Sequence, residues 1–426
     1  MKIVLLPVAI GLALVSNANA DKPAVSGPFG FEPLTESAVP GSLPACAPFN
    51  LPKGFGQYVV LQENGACPGA ATVDAVAGQN DLTDMNTVNE TGAEVGRFLY
   101  RTHENGGGIG ALSALDLYTG ETSVVTDETF GISPGWSRLD GLEWTPWGTL
   151  LAAEENGAFG RMFECEVDGI EFLNCELREA VGLMSHEGIA VDGDGNVYVG
   201  DELNGGSIYK FVPDQYGDLS SGTLYALNIP GSSTVCSGST GVGVTPMGAA
   251  EWLELDVAPG QSARDAADLA GASDFCRPED AEIIGPNLYF ATTTTRNVLQ
   301  IPLNTATPYV TEYFGINTNV NNESDVEEYG LYSPDNLASD TAGNLYIVED
   351  NSPADIWVAG KDLDGDGAAD DVSLFATLTT PGAEGTGIYF ARTMPGAMFV
   401  NVQHAADGND MTVLLVKEEK GKGKVK

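Results

Sequence analysis

Short apolar runs alternate along the chain with clusters of glycine, aspartate and asparagine, and no long stretch repeats its apolar positions at the helical period. The runs "RFLYRTH", "GTLLAAEE", "NVYVGDE", "NLYFATT", "NLYIVED" and "AMFVNVQH" share one design. A Gly/Asp/Pro turn leads into a short apolar strand, a small polar loop follows, and a second strand carries aromatic residues. This pattern predicts an all-β chain of antiparallel strands joined by tight turns.

With Phe98, Thr149, Val197, Leu288, Leu345 and Met398 as strand markers, successive units lie about 51, 48, 91, 57 and 53 residues apart. Apart from one long gap this is the spacing of propeller blades. The fold expected is a six-bladed β-propeller over residues 96–417, with an irregular N-terminal arm (21–95) that packs on it and helps close the ring. The long gap holds an insertion, about 213–275, placed over one face, in which "QSARDAADLAGAS" reads as a helix. The lysine-rich end, 418–426, reads as a disordered tail.

Composition adds a compartment. Residues 1–20 read as an export signal, with Lys2, the apolar core "IVLLPVAIGLALVS" and the cleavage pattern Ala18-Asn19-Ala20. No later run is long enough to span a membrane, so the protein is expected to be secreted or periplasmic without membrane insertion. Six cysteines suit that oxidising setting. Proximity suggests Cys165–Cys175, Cys46–Cys67 and Cys236–Cys276 as pairs.

Sixty acidic residues against nineteen basic give a net charge of −41, which repels nucleic acid and anionic membranes. The acids are also ordered. One series ends the first strand of each marked unit or opens its loop: His103-Glu104-Asn105, Glu154-Glu155-Asn156, Asp201-Glu202, Glu349-Asp350-Asn351 and Gln403-His404. A second series precedes it by about one strand: Asp140, Glu187, Glu279-Asp280, Asp335 and Glu384. In a propeller, equivalent positions converge on the central channel. Carboxylates crowded there raise one another's pKa, and a cluster of hard cations resolves the conflict: Ca²⁺ first, then Fe³⁺ or Mg²⁺. Separately, "DLDGDGAADD" places Asp362, Asp364, Asp366 and Asp370 at the spacing of a structural calcium loop.

The segments "LDGLEWTPWGTLLAAEE", "SHEGIAVDGDGNVYVGDELNGGSIYKFVP", "RPEDAEI", "SPDNLASDTAGNLYIVEDN" and "FVNVQHA" resemble, in that order, the PhoX family of secreted, calcium-dependent alkaline phosphatases. The resemblance spans about 96–410. It implies a six-bladed propeller whose central site holds several Ca²⁺ ions and ferric iron and hydrolyses phosphate monoesters. Carried over by motif, the metal ligands would be Glu154 or Glu155, Glu187, Asp201 or Glu202, Glu279, Asp335 and Glu384. Arg277 would grip the phosphate. His186 would orient Glu187 or bind a metal itself. The family's phosphatases carry an iron-ligating cysteine in an "NCAGG-x-TPWGT" context, where this chain has Asp140. Carboxylate and thiolate do not set the same metal preference, so calcium alone or calcium with Fe³⁺ would fit.

The function expected is therefore a metal-dependent phosphoric monoester hydrolase of alkaline phosphatase type, acting as a monomer on a small phosphorylated substrate. Two other readings suit the same residues: a calcium-dependent propeller hydrolase of lactones or phosphotriesters, and a non-catalytic calcium-binding extracellular propeller.

Overall fold

The computed structural model describes residues 29–232, 234–237, 242–315, 331–350, 354–391 and 393–418. The expected export segment, Asn351 and nearly all of the lysine-rich tail lie outside them. Six antiparallel sheets form the blades of a propeller. Their innermost strands are Thr83–Val88, Leu139–Trp144, His186–Val191, Pro278–Ile284, Pro334–Ser339 and Glu384–Phe390. Each of these contacts the next, and the last contacts the first, so the ring closes around an axial channel.

The second strand of each blade is buried on both faces, which is why these strands read as nearly continuous apolar runs. In the first blade, Tyr100 stacks on Trp144 of the second, with ring centroids 5.7 Å apart. Leu99, one residue earlier and pointing the other way, packs with Phe399 of the sixth blade. Trp136 and Phe163 meet edge to face at 5.9 Å in the same seam as Tyr100. Each such fully buried aromatic side chain stabilises the ring by about 2 kcal/mol.

Two expectations about boundaries need correction. The arm assigned to 21–95 contains strands of the ring itself. Thr83–Val88 is the inner strand of blade 1, Phe55–Gln62 pairs with Met411–Lys417 in blade 6, and Phe49–Asn50 edges blade 5. The sequence "TDMNTV" escaped notice because it lines a polar channel and carries little apolar signal. The second correction concerns 213–275. Its first part is regular blade, since Ile208–Gln215 and Asp218–Asn228 are the third and fourth strands of blade 3. Beyond them, Glu251–Glu254 extends blade 3 and Gly248–Ala249 extends blade 4. The helix Ala263–Ala270 forms, N-capped by Ser262 and closed by Gly271.

The three disulfides are Cys46–Cys67, Cys165–Cys175 and Cys236–Cys276. They tie the N-terminal arm to itself, the outer hairpin of blade 2, and the insertion to the entry of blade 4.

Candidate metal and phosphate site

All six inner strands carry a register shift. In the first five blades the two residues inside it are Asp84-Met85, Asp140-Gly141, Glu187-Gly188, Glu279-Asp280 and Asp335-Asn336. A bulge twists the strand and re-aims a side chain; here the first residue of each bulge is a carboxylate lining the axis. Glycine follows it in blades 2 and 3 because the next blade's inner strand passes so close. A Cβ on Gly141 would clash with the Glu187 carbonyl, and one on Gly188 with Asp280. In blade 6 the bulge falls later, and Glu384 and Thr386 face the channel instead.

A second ring of carboxylates comes from the residue just after the second strand in four blades: Glu104, Glu155, Glu202 and Asp350. Together the two rings enclose a cavity of about 270 Å³ lined by ten carboxylates, Arg138, Arg277, Thr386 and Gln403. Glu187, Glu279 and Asp335 offer oxygens within 4.8 Å of one another. Burial and neighbouring carboxylates hold Asp84, Asp140, Glu187 and Asp335 well above the ordinary carboxylate range. Burial likewise pushes Glu104 and Glu279 up to about 7, Asp350 to about 8 and Glu202 to about 9. Glu384 differs: against burial, hydrogen bonds from His404 and Asp350 hold it below the ordinary range. His404, 3.0 Å from Glu384, is raised by that bond to about 9.

The donor set fits hard cations. Every lining carboxylate offers oxygen, three converge, and the buried Asp140 Oδ1 has no hydrogen-bond partner among the described residues. Cations are the means by which so many buried carboxylates can ionise together.

Asp140, Glu155, Glu187, Glu202, Glu279, Asp335, Glu384 and Arg277 thus share one cavity. Arg277 is held by Glu202 at 2.5 Å and by Glu279 at 3.1 Å. Three sequence-derived candidates stand elsewhere. Glu154 accepts from the Ser137 N–H at 2.9 Å and from Arg161 Nε and Nη2 at 2.7 and 2.6 Å. Asp201 accepts from the Ser185 N–H at 3.1 Å and from Arg264 Nε at 2.7 Å. His186 lies 3.0 Å from the Gly182 carbonyl, fully buried and held neutral by burial, with its pKa lowered to about 4. Strand alternation turns each of these side chains away from its neighbour on the cavity wall. His186 therefore neither binds metal in the cavity nor orients Glu187.

Sequence reasoning missed Asp84, Arg138 and Thr386, and left Glu104 and Asp350 among the loop acids without assigning them as ligands. Asp84 could have been found from its spacing, because it precedes Phe98 by about one strand, as Asp140 precedes Thr149. In the surface loop, Asp362, Asp364 and Asp366 bring oxygens within 4.8 Å of one another. Asp362 takes the Gly365 and Gly367 N–H groups at 2.6 and 2.9 Å, and Asp370 closes the loop on the Leu363 N–H at 2.6 Å.

Fold and site together define a six-bladed propeller with an axial cavity suited to cations and, through two guanidiniums, to an anion. Residues 143–325 match the family model of alkaline phosphatase PhoX. The Pseudomonas fluorescens PhoX structure, solved with vanadate, a transition state analogue, superposes with a TM-score of 0.65 at 17% identity, covering 92% of this chain and 99% of that one. A gluconolactonase from Xanthomonas campestris aligns with a TM-score of 0.48 at 13% identity, over 91% of this chain and 99% of that one. No curated protein sequence matches the chain.

Proposed function

We propose that the protein is an exported, metal-dependent phosphatase that hydrolyses phosphate monoesters in the axial cavity. The observation that carries this reading is the joining of a buried carboxylate ring to Arg277 in a chain whose residues 143–325 match the alkaline phosphatase PhoX family model. Glu187, Glu279 and Asp335 would hold the central cation, with Asp84, Asp140, Glu104, Glu155, Glu202, Asp350 and Glu384 available to others. Ca²⁺ is the first choice for oxygen donors alone, and the Asp140 carboxylate could hold either Ca²⁺ or ferric iron. Bound cations would neutralise the phosphoryl oxygens and activate water at neutral pH.

The chain's own residues do the rest. Glu202 and Glu279 fix the Arg277 guanidinium, so its remaining N–H groups are aimed before substrate arrives and lose little freedom on binding. Thr386 and Gln403 add uncharged polar groups to the lining. Three disulfides and the absence of a membrane-length apolar helix among the described residues support an exported enzyme. We infer a monomer acting on small phosphate esters.

The test is phosphate release from an aryl phosphate and from glycerol 3-phosphate with Ca²⁺, with loss of turnover in chelator. Absence of turnover with Ca²⁺ and Fe³⁺ together, from neutral to alkaline pH, overturns the proposal.

A further inference from the structure

The residue immediately before the inner strand occupies one structural position in five blades. Its carbonyl accepts the N–H of the residue that follows the second strand: Leu82 from Glu104, Arg138 from Glu155, Ser185 from Glu202, Arg277 from Thr293 and Ser333 from Asp350. Side chains there stand at the end of the channel where the carboxylates gather. Only in blades 2 and 4 is the residue arginine, and only these two line the cavity. Both have left-handed backbones, with φ of 52° and 54°. Both donate their N–H to the preceding blade's loop, to Asn105 at 3.0 Å and Leu203 at 3.3 Å.

Resting on the phosphatase reading, we propose that Arg138 binds the leaving group of the substrate, and that the cavity prefers phosphate esters whose leaving group carries a second anion. Arg277 takes the reacting phosphoryl group.

Three observations lead here. The lining holds no aromatic or aliphatic side chain, so the cavity wall offers a leaving group charge and hydrogen bonds rather than apolar contact. Among the lining residues the only cationic side chains are Arg138 and Arg277. They also differ in depth. Among the described residues Arg277 is engaged by two carboxylates, whereas Arg138, with half its side chain exposed, makes one ion pair, through Nη1 to Glu155 at 3.0 Å. Its other nitrogens remain available at the mouth, where the part of the ester not undergoing reaction must lie. A carboxylate or a second phosphate there would find the planar fork that matches it. On a chain of net charge −41, a cation at the mouth also favours entry of an anion.

The experiment compares two esters of similar size, 3-phosphoglycerate, which carries a carboxylate, and glycerol 3-phosphate, which does not. Wild-type turnover of glycerol 3-phosphate tests the phosphatase reading by itself. In the Ca²⁺-loaded full chain, Arg138→Gln is expected to raise KM for phosphoglycerate about tenfold, the cost of one charge-assisted contact. The loss on glycerol phosphate should be several-fold smaller. Arg138→Lys should recover part of the loss, and Arg277→Gln should lower kcat on both esters. Calorimetric binding of the same two compounds, with vanadate or without, gives a second readout, and the variant should weaken phosphoglycerate several-fold more than glycerol phosphate. Equal losses on both esters would make Arg138 a tether for Glu155 and overturn the proposal. So would unchanged affinity for phosphoglycerate, or failure of the wild type to bind it more tightly than glycerol phosphate.

Discussion

Glu154 and Glu155 are neighbours in sequence and serve opposite purposes; so do Asp201 and Glu202, and Glu349 and Asp350. The first of each pair is absent from the cavity lining and accepts a backbone N–H of its own blade. Glu154 holds the Ser137 N–H and Arg161, Asp201 the Ser185 N–H and Arg264, and Glu349 the Tyr332 N–H. Each therefore clamps the backbone just before an inner strand to the end of the second strand of the same blade. The second of each pair faces the axis among like charges. One carboxylate builds the frame and the next lines the cavity, and the separation follows from the opposite directions of successive side chains. The two positions differ in surroundings: the first of each pair sits among donors of its own blade, the second in a cavity lined by ten carboxylates.

Metal removal should break this contrast most visibly. Several cations, each bound at 100 times its Kd, would contribute about 2.7 kcal/mol apiece, so chelation should abolish turnover and lower the melting midpoint by roughly 10 °C. The pH dependence then has a definite sign. Cavity carboxylates whose folded pKa is raised, Glu104 and Glu279 to about 7, Asp350 to about 8 and Glu202 to about 9, bind protons more tightly folded than unfolded. Their contribution is complete below the unfolded value near 4 and is lost as pH rises through the folded values. Chelated protein should lose stability progressively from about pH 4 to 9, and Ca²⁺ should flatten that slope. Parallel melting curves with and without chelator across this range would refute a cation-filled cavity.

The next effect separates the members of a pair. Glu187→Gln should reduce turnover at least about 100-fold, as loss of a charge-stabilising group in such a site does. It should also raise the chelated midpoint, since one of the crowded charges is gone, while lowering the calcium-loaded one. Glu154→Gln should destabilise both forms, by about 3 kcal/mol, because Arg161 is left half-paired against the blade. Differential scanning calorimetry with and without chelator reads both. If both substitutions behaved alike, the division between frame and ligand would fail.

Much of this was legible in the sequence. Blade number, the second strands and the phase of Asp140, Glu187, Glu279, Asp335 and Glu384 follow from apolar runs spaced at about fifty residues. What was not legible is instructive. Whether Glu154 or Glu155 faces the axis depends on where the strand ends, and one residue of slip reverses every side chain. The bulge that aims Asp84 cannot be read from "TDMNTV", which has neither alternation nor apolar run. The resemblance drew in His186 beside Glu187, but of the two only Glu187 lines the cavity.

A smaller change concerns the metal rather than the frame. Asp140→Cys puts a soft thiolate where an oxygen donor now lies, beside a cluster otherwise made of oxygen. Elemental analysis of the purified variant should show iron above the parent protein, with calcium retained, and turnover changed only a few-fold. Equal iron in both would mean that this position does not set metal identity.

The smallest effect lies outside the cavity and sharpens the comparison from the other side. Asp362, Asp364 and Asp366 also converge, but Asp364 and Asp366 are exposed and the backbone already satisfies Asp362 through Gly365 and Gly367. Exposed charges repel weakly in water, so this loop does not need a cation in order to fold. Asp364→Asn should lower the midpoint in Ca²⁺ by about 2 °C, in keeping with one weakened surface site, and should change neither turnover nor the chelated midpoint. A loss of turnover would tie the loop to the axial site through the strands of blade 5. A midpoint unchanged in Ca²⁺ would mean that three converging carboxylates hold an ion only where burial forbids them to remain charged without one.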